Sequence, residues 1–239
     1  MKPIRTVTLI TSLWMFSGWG WGITQAAEPS FGSSFKEWCL QKATVSTEAR
    51  ITIEVLLTEA GTTNCERAAN NLLSRTKLSF PEAPITDLRP LSGLTNLKEL
   101  YFHLNNIQDI SPLSGLINLE KLYISGNPLA DISPLSGLTN LTELGLNDNQ
   151  IEDVSPLSEL TNLKDLRLKN NQITDISPLA KLTNLWVLYL SYNQITDISP
   201  LARLKNLRLV NLTGNPITER NCPVFPPEIC DFDTSPWVP

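Results

Sequence analysis

The 239-residue chain contains a single histidine, His103, and two methionines. A Ser-His-Asp or Cys-His relay would have to be built on that one imidazole, and no serine or cysteine stands in a nucleophile context. Its four cysteines never form a close C-x-x-C pair, so with one histidine no zinc ligand set exists. No phosphate-binding glycine loop is present; the glycine-rich GWGWG of residues 18–22 precedes no strand–helix unit. Lysines and arginines are not clustered and the net charge is −5, which argues against a nucleic-acid partner. Beyond Ala26 no apolar run is long enough to cross a bilayer. No motif implies a cofactor. An acid/base pair such as Glu99 with Glu143, facing each other across strands, is the one catalytic arrangement left, and carboxylates are too common for it to carry weight.

What the sequence does have is repetition. Asp87, Asp109, Asp131, Asp153, Asp175 and Asp197 recur with a period of 22, as do the prolines at 90, 112, 134, 156, 178 and 200. Asparagines at 105, 127, 149, 171, 193 and 215 keep the same interval. Counted from Leu119 as position 1, apolar residues fill positions 1, 4, 6, 11, 14, 17 and 20: Leu119, Leu122, Ile124, Leu129, Ile132, Leu135 and Leu138. Units starting at Leu97, Leu141, Leu163 and Leu185 repeat the pattern, with Phe102 at position 6 of the first. A partial unit around Leu78 and Phe80 comes before them, and another from Leu207 stops after Ile217. A period in the twenties carrying L-x-x-L-x-L-x-x-N is the pattern of a leucine-rich repeat.

Alternation at positions 3 to 7, with aliphatics at 4 and 6, predicts a short strand. Asn at position 9 turns the chain, and a buried amide there must bond its neighbours. Ser-Pro at positions 15 and 16 predicts a short helical or 3-10 turn, with Ser as the cap and Pro at the first helical position. One coil cannot bury seven aliphatic side chains alone, so coils stack, at about 1.5–3 kcal/mol per fully buried side chain. The expected fold is an α/β solenoid, a slab with a parallel concave sheet and short convex turns. The aspartates two residues ahead of each turn read as acceptors for backbone N–H groups. A calcium role for them would need six or more oxygens converging on one point.

Solenoid ends need covers, because they expose core leucines and a strand edge. Residues 27–76 predict a helical N-terminal cap of three short helices, with Ser46 and Asn64 as N-caps and Gly61 as a stop. Residues 77–218 are the repeats, and 219–239 a Pro-rich C-terminal cap and tail. Residues 1–26 carry Lys2 and Arg5, a short apolar stretch and small residues up to Ala26, which predicts a cleaved secretory signal peptide. Its removal takes away two basic residues and moves the net charge from −5 to −7. The mature chain is then secreted or periplasmic, where disulfides form. Two cysteines precede the slab and two follow it, at ends about 25–30 Å apart on a spacing of about 4.8 Å. Bridged Cα atoms must lie within about 7 Å, so Cys39–Cys65 and Cys222–Cys230 are the pairings this architecture permits.

The unit ITDISPLAKLTNLWVLYLSYNQ resembles the 22-residue repeats of bacterial internalins, over about Ile85 to Ile217. The flanks, CPVFPPEIC in particular, are similar to small exported leucine-rich repeat proteins of cyanobacteria. The resemblance implies a concave sheet that grips a protein partner. Neither an immunoglobulin-like flanking domain nor a cell-wall anchor motif is seen, so host-cell attachment is not carried over.

Core positions are forced by the repeat, whereas positions 3, 5 and 7 face away from it and are free to differ. Tyr101, Tyr123, Arg167 and Tyr189 occupy position 5, and His103 and Lys169 position 7. Trp186 and Tyr192 are expected to flank the same face. Aromatic residues and Arg are the types enriched where proteins bind one another. The function expected is therefore non-catalytic docking of a protein or peptide on the concave sheet. A glycan stacking on the exposed Tyr and Trp rings is the alternative.

Overall fold

The computed structural model describes residues 34–232; the leader expected over 1–26 lies outside them. Seven short strands come from the repeats: β1 (Lys77–Ser79), β2 (Glu99–Tyr101), β3 (Lys121–Tyr123), β4 (Glu143–Gly145), β5 (Asp165–Arg167), β6 (Val187–Tyr189) and β7 (Leu209–Asn211). Each pairs in parallel with the next at an offset of 22, as in Leu122↔Leu144, so one sheet runs β1 to β7 in chain order. The predicted solenoid is what forms. Its strands occupy only positions 3 to 5 and stop short of position 7. Hydrogen bonding continues past them, however: Leu104 N–H donates to Ser125 O and Gly126 N–H to Asn147 O, at 2.9 Å each. The extended strand ends where the chain begins to turn, but the coils stay bonded beyond it.

The aliphatic positions make one continuous core. Leu119, Leu122, Ile124, Leu129, Leu135 and Leu138 are fully buried, and their equivalents in the other coils follow. The sheet is buried on its inner side only, since positions 3 and 5 remain half-buried along most of its length.

Two ladders of asparagine tie the coils together. Asn171 Oδ1 accepts from Ile151 N–H (3.0 Å), while its Nδ2 donates to Leu146 O and Leu168 O (3.0 Å each). Asn127, Asn149 and Asn193 repeat the arrangement, all buried. A second ladder runs along the exposed flank. The Nδ2 groups of Asn118, Asn140, Asn162, Asn184 and Asn206 each donate to a carbonyl of the preceding coil at 2.8–2.9 Å.

The convex turns are 3-10, but Ser does not cap them. In Ser111–Leu113 and its counterparts Ser is the first helical residue and Pro the second, with no cap bond from the residue before. The aspartate supplies the acceptor instead. Oδ1 of Asp109, Asp131, Asp153, Asp175 and Asp197 takes the N–H of the serine two residues on, at 2.7–2.8 Å. A carboxylate two residues upstream reaches this N–H where the short serine side chain cannot.

The N-terminal cover is three helices: α1 (Phe35–Leu40), α2 (Thr47–Ala60) and α3 (Cys65–Leu73). Ser46 and Asn64 cap α2 and α3, and Gly61 ends α2 at φ 69°. Ser34 caps α1 in a reciprocal arrangement with Glu37. Cys39 of α1 is bonded to Cys65 at the head of α3. The cover meets the first coil through Thr52, whose buried hydroxyl donates to Asp87 O at 2.7 Å, and through Arg89 over the Trp38 ring.

The other end is more than a loop. Cys222–Cys230 closes it, and a further strand, β8 (Cys230–Asp231), adds to the sheet parallel to β7. Its partner offset is 20, from Val210 to Cys230, so sheet pairing outlasts the 22-residue repeat. A backbone bond from Leu212 N–H to Asp231 O (2.7 Å) extends the pairing by one residue.

Candidate functional site

Because every coil enters the sheet in the same register, position 5 becomes a straight column across the concave face. It reads Ser79, Tyr101, Tyr123, Gly145, Arg167, Tyr189 and Asn211. Tyr101 and Tyr123 stack nearly parallel, 5.3 Å between centroids and 5° between planes. His103 leans against both rings, at 6.3 and 5.8 Å. Lys77 sits 4.7 Å from the Tyr101 centroid at one end. At the other, the Arg167 guanidinium lies between Tyr123 (5.9 Å) and Tyr189 (5.6 Å).

The contact between Arg167 and Tyr123 crosses a strand that has no side chain at this position. A Cβ on Gly145 would stand 2.3 Å from Tyr123 Cδ1, so the tyrosine ring occupies the space above the glycine. The gap lets Tyr123 tilt toward β5 and meet Arg167, whose own neighbour in the register is Gly145. Tyr192 stands over Gly214 in the same manner, with a would-be Cβ at 2.7 Å, and Leu104 over Gly126 at 2.6 Å. Three times, a large side chain leans on the glycine one coil later.

Position 3 fixes the tyrosines. Glu99 takes the Tyr101 hydroxyl (2.9 Å) and Lys77 Nζ (3.3 Å). Glu143 takes the Tyr123 hydroxyl (2.7 Å) and Lys121 Nζ (2.9 Å). Asp165 holds Arg167 through two bonds, Nε–Oδ1 at 3.0 Å and a terminal nitrogen to Oδ2 at 2.8 Å. The Tyr101 hydroxyl, and Lys77 beside it, hold the Glu99 carboxyl below the usual carboxylate range. Burial alone would raise Glu143, but bonds from Lys121 and Tyr123 bring it below its ordinary value. Both tyrosines are pushed up, by burial first and then by the carboxylate each bonds. Asp165 pushes Arg167 up, and burial lowers His103, which favours its neutral ring.

Glu99 and Glu143 are not brought together as acid and base. They lie on β2 and β4 with β3 between, about 9–10 Å apart at strand spacing. Both are clamped as anions, so neither holds a proton to give near neutrality. Among the described residues no three His, Cys, Asp or Glu side chains gather where they could hold a metal ion.

Tyr101, His103, Tyr123, Arg167 and Tyr189 thus share one surface. Lys169 and Tyr192 join at its rim, with Lys169 Nζ 5.6 Å from the Tyr192 centroid. Tyr192 occupies the turn position after the strand, where Leu104, Asp148 and Asn170 stand too, all with φ of 54–57°. A left-handed backbone costs a bulky residue about 1–2 kcal/mol, yet Leu104 and Tyr192 stand there exposed.

Trp186 does not join. It precedes β6, in line with Lys98, Glu120, Thr142, Lys164 and Arg208. Its ring has Lys164 (5.6 Å) and Arg208 (5.4 Å) against it, from the coils on either side. Lys98, Glu120, Thr142 and Lys164 of that row, with Asn118, Asn140 and Asn162, line a groove of about 430 Å³ along the flank, which stops short of Trp186. Sequence reasoning missed Gly145, whose signal was a bulky residue followed by glycine at an interval of 22. It also missed the flank asparagines, which keep the period as strictly as the buried ones.

Comparison with known proteins follows the repeats. The model described as Leucine Rich repeats (2 copies) matches residues 95–137 and 117–159, and the Leucine rich repeat model matches 161–217. No curated protein matches the sequence. An internalin (inlF) from Listeria monocytogenes superimposes with a TM-score of 0.57 at 36% identity, covering 70% of this chain; the chain spans 56% of that one. Internalin C2 (inlC2) from the same organism gives 0.56 at 32%, covering 74% of this chain and 88% of the other. A leucine-rich repeat protein of Leptospira interrogans gives 0.56 at 23%, over 68% of this chain and 50% of its own, and shares the fold alone. With matching repeat models across residues 95–217 and internalin structures over most of its length, the chain belongs to the leucine-rich repeat family.

Proposed function

We propose that this chain is a non-catalytic module that docks a protein or peptide partner on its concave sheet, outside the cytoplasm. The observation that carries the reading is the ordered column of Tyr101, Tyr123 and Arg167, each bonded to a carboxylate (Glu99, Glu143 and Asp165), with Tyr189 against Arg167. Rigid aromatic and Arg side chains lose little entropy on binding, which is why they dominate interfaces. Two disulfides and the likeness to internalins support an oxidising, extracytoplasmic setting. Leucine-rich repeats are in general binding scaffolds.

A protein is favoured over a sugar because most ring faces along the column already meet a neighbouring ring or cation. Tyr101 and Tyr123 stack on each other, Tyr189 has Arg167 against it, and Trp186 has two cations. A sugar needs a free ring face; a peptide can use the edges and the gaps between rings.

The test is affinity capture from envelope and medium fractions by residues 27–239, beside a Tyr101→Ala/Tyr123→Ala/Arg167→Ala/Tyr189→Ala variant that still melts cooperatively. A partner retained by the wild type and lost by the variant is expected. Equal retention by both sinks the reading.

A further inference from the structure

Along positions 3 and 5 the concave face neutralises itself, while Lys169 at the rim lies against the Tyr192 ring. The position-3 and position-5 charges pair one to one: Lys77 with Glu99, Lys121 with Glu143, Arg167 with Asp165. Each carboxylate already has two donors, either a lysine and a tyrosine hydroxyl or two guanidinium nitrogens. A charged group on a partner would have to break one of these pairs to be satisfied, and would leave the displaced ion desolvated. Toward the C-terminal end the position-3 charges give way to Val187 and Leu209, and the exposed Tyr192 stands at the rim. The chain as a whole is negative at −5, so this balance belongs to the face and not to the composition.

We propose that the face selects an extended peptide segment of a partner protein that has no net charge, and that salt scarcely affects the complex. Aliphatic, aromatic or proline side chains of that segment pack between the tyrosine edges. From β2 to β6 the strands, at about 4.8 Å each, span about 19 Å in all, the length of about six extended residues. This rests on the docking reading above and adds the chemistry of the partner.

The probe is a random peptide library displayed on phage, panned on residues 27–239 at low salt and at about 0.5 M NaCl, where exposed charges are screened. Enriched peptides are expected to be apolar, with balanced or absent charge, and to be lost on a folded Tyr101→Ala/Tyr123→Ala variant. The affinity of the synthetic peptides should change by less than about threefold between the two salts. Glu143→Gln leaves Lys121 without its carboxylate, and should turn the selected peptides acidic and salt-sensitive. Wild-type peptides rich in one charge, or an affinity falling about tenfold in high salt, overturn the proposal while leaving docking intact. Peptides that bind the double alanine variant equally well, or no enrichment at all, overturn the docking reading itself.

Discussion

Two polar columns run the length of this slab, and they behave in opposite ways. The position-9 asparagines are the same in every coil from Asn105 to Asn215, buried through the middle of the stack, and bonded almost wholly to backbone. Position 5 changes from coil to coil, is half-exposed, and its side chains bond or stack on one another. A side chain bonded to backbone works equally in any coil, so the repeat preserves it. A side chain bonded to another side chain works only beside its particular neighbour. The first column specifies the fold, and the second makes this chain individual.

The largest effect should come from breaking the first column. Asn171→Ala strands the Ile151 N–H in the core, at about 1–3 kcal/mol, and removes two more bonds at about 0.5–1.5 kcal/mol each, although Leu146 O and Leu168 O keep the amides of Asn149 and Asn193. A loss of about 3 kcal/mol or more is expected by denaturant unfolding; a loss within about 1 kcal/mol would mean water replaces the amide and the ladder is not structural.

Gly145→Ala tests the second column. The new methyl would overlap the Tyr123 ring, so about 1–3 kcal/mol should be lost as the ring moves off Arg167. Unchanged stability and unchanged tyrosine fluorescence would show that the ring does not depend on that gap.

Smaller still is Tyr123→Phe. It keeps the stacked ring but removes the bond to Glu143, and should cost less than about 1 kcal/mol because the pair is partly solvated. Peptide affinity should be nearly unaltered, since the proposed contact is with the ring and not the hydroxyl.

The smallest effect lies on the convex side and depends on pH. Backbone N–H bonds from Ser133 and Ser199 hold Asp131 and Asp197 below the usual aspartate range. A depressed folded value means their contribution is present above the unfolded value of about 3.9 and is lost as pH falls through the folded one. The urea midpoint of Asp131→Asn/Asp197→Asn should therefore fall less than that of the wild type over that acid range. Parallel curves would remove the caps from the account of acid sensitivity.

Most of the scaffold was legible in the sequence because the period is so regular. Leucine spacing gave the core and the parallel sheet, and Ser46, Asn64 and Gly61 marked the helical cover. Details that hang on local reach were not legible. Serine stood where a cap is usual, yet the aspartate two residues earlier is long enough to reach the amide. Nothing in CPVFPPEIC announced β8, since so short a strand leaves no alternation to read. Of the candidate binding residues, position 5 gathered as expected. Trp186 lies one residue ahead of its strand, and that single step turned it to the flank.

By itself the sequence determined that coils of one fixed length would stack in register, because only stacking buries seven aliphatic side chains per coil. Which surface residues meet was left to the tertiary structure. Tyr123, Gly145 and Arg167 are each a full repeat apart along the chain and become neighbours only when coils pack about 4.8 Å from each other. At that distance one missing side chain is enough to decide the direction in which a tyrosine ring falls.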